Sequence, residues 1–364
     1  MNNLYRNSND KIIMSKTTKY LKFLIILIVL ILFSTCSKNS VTSPGEVDNQ
    51  KLNDAFTNAA SFKELKSLVV ARNGVIVKEQ YFRSSGPNVP SDVRSVTKTV
   101  TSLLIGIAID KGFIKSVDQP IGEFIRPLVD SLSADKAALT LRDFLTMSSG
   151  FEWRELGNNN EYNNWFYSAP NQVRYLFNRP LIAKPGQVFD YNSAALHILS
   201  VILTRATGMN TRGFAQKYLF DSLGSAINYW ETDRQGYING AAGINITPHD
   251  MIKIGQLILN GGTYNGKRIV SPAWIEQTIK QHITTNKALE FGPEYGYCMW
   301  GGQNIKGNYA FALGYGGQFI FVVPRLNLVV TATNDLNVPN SSVADNDMFE
   351  TLSLIMNNII PAFY

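Results

Sequence analysis

Cysteine and histidine are scarce in this sequence, with two of the first, Cys36 and Cys298, and three of the second, His197, His249 and His282. At most one disulfide could form, so the fold must be held by its core. Neither His-Glu-x-x-His nor Cys-x-x-Cys occurs and no cluster has metal-ligand spacing, so neither a metal nor a cofactor is expected. Gly-x-Ser-x-Gly, the phosphate-loop pattern and the dinucleotide glycine fingerprint are missing as well. Charged residues make up 17% of the chain against 45% hydrophobic. That balance belongs to a globular protein with a large core.

One long apolar run stands near the start. Lys16, Lys19 and Lys22 precede Phe23 to Phe33 (FLIILIVLILF), eleven apolar residues, too few to span a membrane and right for a secretory signal. Phe33, Ser34, Thr35 and Cys36 then resemble a bacterial lipobox, in which the cysteine is lipidated and becomes the new N-terminus; a retained anchor or a simple signal peptide is the alternative. A lipidated Cys36 would leave no disulfide. Residues 37–51 read as a polar tether (SKNSVTSPGEVDNQ and the next residue), and 52–364 as the folded unit. The expectation is an exported protein of the bacterial cell envelope, held to a membrane through Cys36. Removing Arg6, Lys11, Lys16, Lys19, Lys22 and Asp10 takes the formal charge from +6 to about +2, which does not suggest a nucleic-acid partner.

Strand signals cluster at both ends. Ser67 to Phe82 places two β-rich runs around Asn73-Gly74, the strongest short hairpin signal. A second hairpin is expected from Gln318 to Val323 and Leu328 to Thr333, across a Pro324-Arg325-Leu326-Asn327 turn, with the first member apolar enough for a central strand. Tyr295 to Trp300 and Tyr309 to Leu313 read as further strands, and Asn346 to Ile360 as a terminal helix. The middle is helical, with segments at Leu139 to Met147, Ala194 to Thr207 and Pro248 to Leu259. An α+β architecture follows: an antiparallel sheet assembled from both chain ends (about 52–128 and 241–364) with an inserted all-helical part (about 129–240).

Ser-x-x-Lys occurs at Ser8, Ser95 and Ser133, so the pattern alone is weak. Only Ser95 opens an apolar helix, with Val96, Val100, Leu103, Leu104 and Ile107 on one face and Gly112 as its stop. The spacing sets Lys98 beside the Ser95 hydroxyl, and a desolvated lysine can take a serine proton without histidine. The alternative is an N-cap serine followed by a lysine that snorkels to solvent. Two other stretches bear on the choice. Lys184 to Ser193 (KPGQVFDYNS) puts Tyr191 and Asn192 just before a helix, where Tyr191 could act as an acid or base if lysine lowers its pKa. Leu313 to Gln318 (LGYGGQ) opens the most apolar strand with a glycine pair, whose usual compensation is close approach of another backbone or a ligand.

Taken together with LTLRDFLTMSSGFEW and AAGINITPHDMIKIGQLILNGGTYNGKRI, these boxes resemble the serine β-lactamase and penicillin-binding-protein-like hydrolases, near the class C β-lactamases, family VIII esterases and 6-aminohexanoate-dimer hydrolases. The resemblance runs from about Ser67 to Leu354. It implies the β-lactamase/transpeptidase-like fold, with Ser95 as nucleophile, Lys98 as its partner and Tyr191 as proton shuttle. The oxyanion hole it implies is the N–H of Ser95 and that of Gln318, the latter on an edge strand facing the site.

Two departures narrow the substrate. The Tyr-x-Asn box ends in Ser193, so its amide is lost or supplied by Asn192. The Lys-Thr-Gly box reads Tyr315-Gly316-Gly317, removing a cation whose charge-assisted contact to a substrate carboxylate is worth on the order of 1.5–3 kcal/mol. A small-molecule ester or amide is therefore expected ahead of a β-lactam. The rival readings are a D,D-peptidase or β-lactamase acting on cell-wall-like substrates and a non-catalytic penicillin-binding sensor. Finally, Phe151 to Pro170 mixes Trp153, Tyr162, Trp165, Phe166 and Tyr167 with asparagines. These aromatics either line an acyl pocket or pack the helical part.

Overall fold

The computed structural model describes residues 45–156, 161–285, 292–304 and 307–364. The signal segment, Cys36 and most of the expected tether lie outside them. Among the described residues no helix is long and apolar enough to cross a membrane. Helix α1 (Asn49–Ala59) begins inside the segment expected as tether. Asp48 caps it by accepting from the Lys51 N–H at 3.0 Å, and its own N–H donates to the Ala362 carbonyl at 2.8 Å. The chain is thus tied to its own C-terminus from Asp48 onward.

Among the described residues eight strands form one antiparallel sheet. In chain order they are β1 (Leu65–Arg72), β2 (Val75–Tyr81), β3 (Ile283–Thr284), β4 (Glu294–Tyr295), β5 (Trp300–Asn304), β6 (Gly307–Gly314), β7 (Gln318–Val323) and β8 (Leu328–Asn334). Across the sheet they run β2-β1-β8-β7-β6-β5-β4-β3. The two chain ends meet at β1 and β8, where Val70 faces Val330. Asn73 and Gly74 turn the first hairpin with φ of 52° and 80°, the left-handed pair that matches the twist of the flanking strands. Every residue of β7 is buried, as its unbroken apolar run requires of a strand covered on both sides.

Two expectations need correction. Tyr295 to Trp300 is not a single strand. Cys298 takes a left-handed φ of 63° and gives its N–H to the Leu145 carbonyl at 3.1 Å, so the ladder breaks between β4 and β5. Nor does Gln318 stand on an edge, because β7 lies between β8 and β6.

Four further helices place the site. Helix α2 (Val96–Asp110) packs on β6, and α4 (Pro248–Leu259) on β7 and β8. Helix α3 (Ser193–Thr207) crosses α2 in the helical middle. It is buried from Ser193 through Leu203, so it is a core helix rather than a surface one. Helix α5 (Ser341–Leu354) closes the chain and passes into tight turns through Phe363.

Candidate active site

The geometry differs from the reading of Ser95 as a side-chain cap beside a snorkelling Lys98. Ser95 holds the N-cap position of α2, yet its side chain makes no capping bond. Its hydroxyl accepts instead from Lys98 Nζ at 2.7 Å. Lys98 does not snorkel; it is 1% exposed and donates a second bond to the Ala241 carbonyl at 3.0 Å. Burial pulls its pKa down to about 8, against the opposing pull of the Glu155 carboxylate and, less, of Cys298. An amine that loses its proton so readily can serve as a base near neutral pH. Among the described residues no backbone carbonyl accepts from the Ser95 N–H. Just ahead, Arg94 is held at a left-handed φ of 48° by its own N–H donating to Asp92 Oδ1 at 2.8 Å. Such strain is costly for a non-glycine residue and here sets the turn that presents the serine.

Tyr191 is buried and stacks on Trp300 with centroids 5.8 Å apart. Burial first, then the Glu155 charge, raises its pKa well above the ordinary phenol, and the nearby Ser95 hydroxyl offsets this only in part. The expected lowering by lysine does not occur. Lys98 Nζ lies over the ring face, 4.9 Å from the centroid.

The next two residues are spent on structure. Asn192 is 2% exposed and caps α3, its Oδ1 accepting from the Ala195 N–H at 2.9 Å. That oxygen is therefore a helix cap, which leaves only the Nδ2 group of the amide expected in place of Ser193. Ser193 gives its hydroxyl to Glu155 Oε1 at 2.5 Å and its N–H to Glu155 Oε2 at 2.8 Å.

Glu155 is the site residue that sequence reading missed. It also accepts from Trp153 Nε1 at 2.9 Å. Its partner Ser193 is 38 positions away, so only the nearby tryptophan in FEWRE hinted at it. Trp153 is correspondingly not a pocket wall. It is buried, edge-on to Trp165 and Tyr175, and with Trp165 and Phe166 it packs the helical part. Tyr167 differs, being half exposed, with its carbonyl accepting from Arg234 Nη2 at 2.7 Å.

On the sheet side the hairpin end of β6 and β7 abuts the turn before Ser95. A Cβ on Gly314 would stand 2.3 Å from the Val93 carbonyl oxygen, so only glycine fits this approach. Gln318, opposite Gly314, turns its fully buried side chain away from the crevice. Its Oε1 accepts from the Asn334 N–H at 3.1 Å and its Nε2 donates to the Asn334 carbonyl at 3.2 Å, leaving the main chain as its contribution to the site. Tyr315 is exposed on the connecting turn. Gly316 and Gly317 do not owe their identity to a ligand. At φ 89° a Cβ on Gly317 would stand 2.6 Å from Asn334 Nδ2 and 3.2 Å from Met348 Cα, so their space is filled by the protein itself. Among the described residues no group of three or more His, Cys, Asp or Glu side chains is placed to hold a metal ion.

This arrangement has relatives. The Beta-lactamase family model matches residues 66–354. The chain is 25% identical over 308 residues to the 6-aminohexanoate-dimer hydrolase of Paenarthrobacter ureafaciens, covering 80% of this chain and 76% of that protein. The octameric penicillin-binding protein homologue of Pyrococcus abyssi superposes with a TM-score of 0.66 at 21% identity, over 85% of this chain and 78% of that one. A penicillin-binding protein of Bacillus halodurans gives 0.65 at 16% identity, over 83% and 100%. At such identities the two superpositions speak to the fold alone, and they bear out the architecture expected from the sequence.

Proposed function

This chain belongs to the Beta-lactamase family, and from that premise we propose that it is an exported serine hydrolase opening carboxylic esters or amides through an acyl-enzyme on Ser95. The observation that carries the reading is the 2.7 Å bond between Lys98 Nζ and Ser95 Oγ, made by a lysine whose pKa burial brings to about 8. Neutral Lys98 takes the hydroxyl proton as Ser95 Oγ attacks the substrate carbonyl carbon. The oxyanion accepts hydrogen bonds from the N–H groups of Ser95 and Gln318. Collapse of the tetrahedral intermediate breaks the bond to the leaving alcohol or amine, which takes a proton relayed from Lys98 through the Tyr191 hydroxyl. Water then adds to the acyl carbon, gives its proton back along the same path, and releases the acid with Ser95 restored. The similarity to a protein named as a 6-aminohexanoate-dimer hydrolase, and tyrosine in place of the lysine of the third box, favour neutral esters and amides over β-lactams.

Intact-mass spectrometry of residues 37–364 and of its Ser95→Ala variant, after brief exposure to p-nitrophenyl butyrate and separately to benzylpenicillin, tests this. An acyl adduct or ester turnover that disappears in the variant is the expected result. A stable penicillin adduct would move the reading to a cell-wall enzyme or sensor, and equal behaviour of the two proteins would remove Ser95 as the nucleophile. Export and anchoring rest on residues 16–36. In a bacterial host, incorporation of an alkynyl fatty acid that is lost in Cys36→Ala is the expected outcome, and equal labelling of both would count against the lipid anchor.

A further inference from the structure

Glu155 meets the site from an element that carries none of the three residues assigned above. Its carboxylate grips the first residue of α3 through both Ser193 contacts, and Trp153 Nε1 donates to the oxygen that also accepts the Ser193 N–H. Asn192 caps the Ala195 N–H of the same turn. Two side chains thus pin the first turn of the helix that immediately follows Tyr191, and a carboxylate there is also favoured by the helix dipole. The charge is felt beyond its hydrogen bonds. Glu155 acts on Lys98, on Tyr191, on the neighbouring Asp190, and on Tyr162 and Tyr295. Cys298 is the other titratable group acting on Lys98.

We propose that Glu155 is the positioning residue of the Ser95–Lys98–Tyr191 group, locking Tyr191 against Ser95 through Ser193 and supplying the counter-charge for the ammonium that Lys98 becomes when it takes the serine proton. The proposal rests on the acyl-enzyme reading of Ser95. It follows from placing one carboxylate where it both holds the tyrosine segment and lies within electrostatic reach of the amine, the role that an orienting third group plays beside any nucleophile and base. It also accounts for the departure at Ser193. The hydroxyl there is bonded to Glu155 and so is not offered to a substrate, which leaves a small polar group where the related box carries an amide.

The test is the pH dependence of Ser95 phosphonylation by a fluorophosphonate, which needs no knowledge of the substrate. Wild type should be labelled with a rate rising on a limb near the pKa of Lys98. In Glu155→Gln, which keeps an acceptor for Ser193 but removes the charge, the limb should move down by about one pH unit and the plateau rate fall at least tenfold. Ser193→Ala should depress the plateau without moving the limb, and Glu155→Asp should restore the limb while leaving the plateau low. A limb unmoved in Glu155→Gln, with wild type labelled normally, would overturn the counter-charge role alone. A Ser193→Ala plateau equal to wild type would overturn the positioning role. If Glu155→Gln does not fold, Ser193→Ala and Glu155→Asp still decide the positioning half, and titration of wild-type labelling against rising salt decides the other, a limb that stays fixed being expected of a charge pair shielded from solvent. Wild type left unlabelled at every pH would remove the acyl-enzyme reading itself, and this proposal with it.

Discussion

Lys98 meets Tyr191 through the face of its ring, Nζ 4.9 Å from the centroid, while the hydrogen bond of the same amine goes to Ser95 Oγ at 2.7 Å. A ring face attracts a cation without asking the phenol to give up its proton. On the acyl-enzyme reading the two side chains would divide the proton work. Lys98, with the lowered pKa, would take the proton; Tyr191 would keep its own and donate or relay it.

Ester turnover should accordingly follow the neutral form of Lys98. The kcat/KM for p-nitrophenyl butyrate is expected to rise with pH on a single ionisation near 8, the value to which burial brings this amine. Lys98→Arg, which holds its proton throughout, should lower kcat by on the order of 10²–10⁴ at every pH. A profile flat between pH 6 and 9 would count against Lys98 as the base.

The same shift makes the site a weakness in the fold. Lys98 has a folded pKa of about 8 against 10.5 for the free side chain, so the unfolded chain binds the proton more readily. Its contribution is full above about pH 10.5, is lost as pH falls through the window down to 8, and is constant below that, for a total of about 3 kcal/mol. Lys98→Met should remove this pH dependence and melt higher than wild type at pH 7. Thermal melts across pH 7 to 10.5 check the sign, and a variant that melts lower at pH 7 would contradict it.

Tyr191→Phe separates packing from proton relay. The ring keeps its place on Trp300 and beneath Lys98, so stability should change by less than about 1 kcal/mol. Loss of the hydroxyl should cost kcat about 10²-fold. Paired melting and steady-state kinetics read both, and full activity in the variant would exclude the relay.

Gly314→Ala should damage the site from the sheet side. The new methyl would need space held by the Val93 carbonyl at 2.3 Å, a backbone atom that cannot swing aside, so a loss of about 1–3 kcal/mol is expected together with activity. Gly74→Ala gives the contrast. No atom lies within 4 Å of its Cβ position, and its positive φ alone should cost about 1–2 kcal/mol with activity kept. Guanidinium unfolding and ester turnover on both variants distinguish local crowding from backbone strain.

The parts of this structure that were legible in the sequence are those fixed by near neighbours. Asn73-Gly74 announces its hairpin because both residues must be left-handed, and Ser95 with Lys98 declares itself through a single helical turn. What stayed hidden depends on distant partners. Trp153 could be read as a pocket wall because its burial comes from Trp165 and Tyr175. The break at Cys298 is set by the Leu145 carbonyl, far away in the chain. Glu155 escaped for the same reason, since its meaning resides in Ser193.

Gln318 closes a rung of the sheet with its side chain, its amide pairing both polar groups of the Asn334 backbone. The Asn334 amide in turn reaches the Gly317 carbonyl at 2.7 Å and the Thr351 hydroxyl of α5 at 3.2 Å. Inheritance at this corner is therefore collective. A lineage, or a mutant library, that changes position 318 by itself breaks a buried pair and loses about 1–3 kcal/mol of stability before it can explore a new chemistry. One that varies 318, 334 and 351 together can cross the same ground while remaining folded.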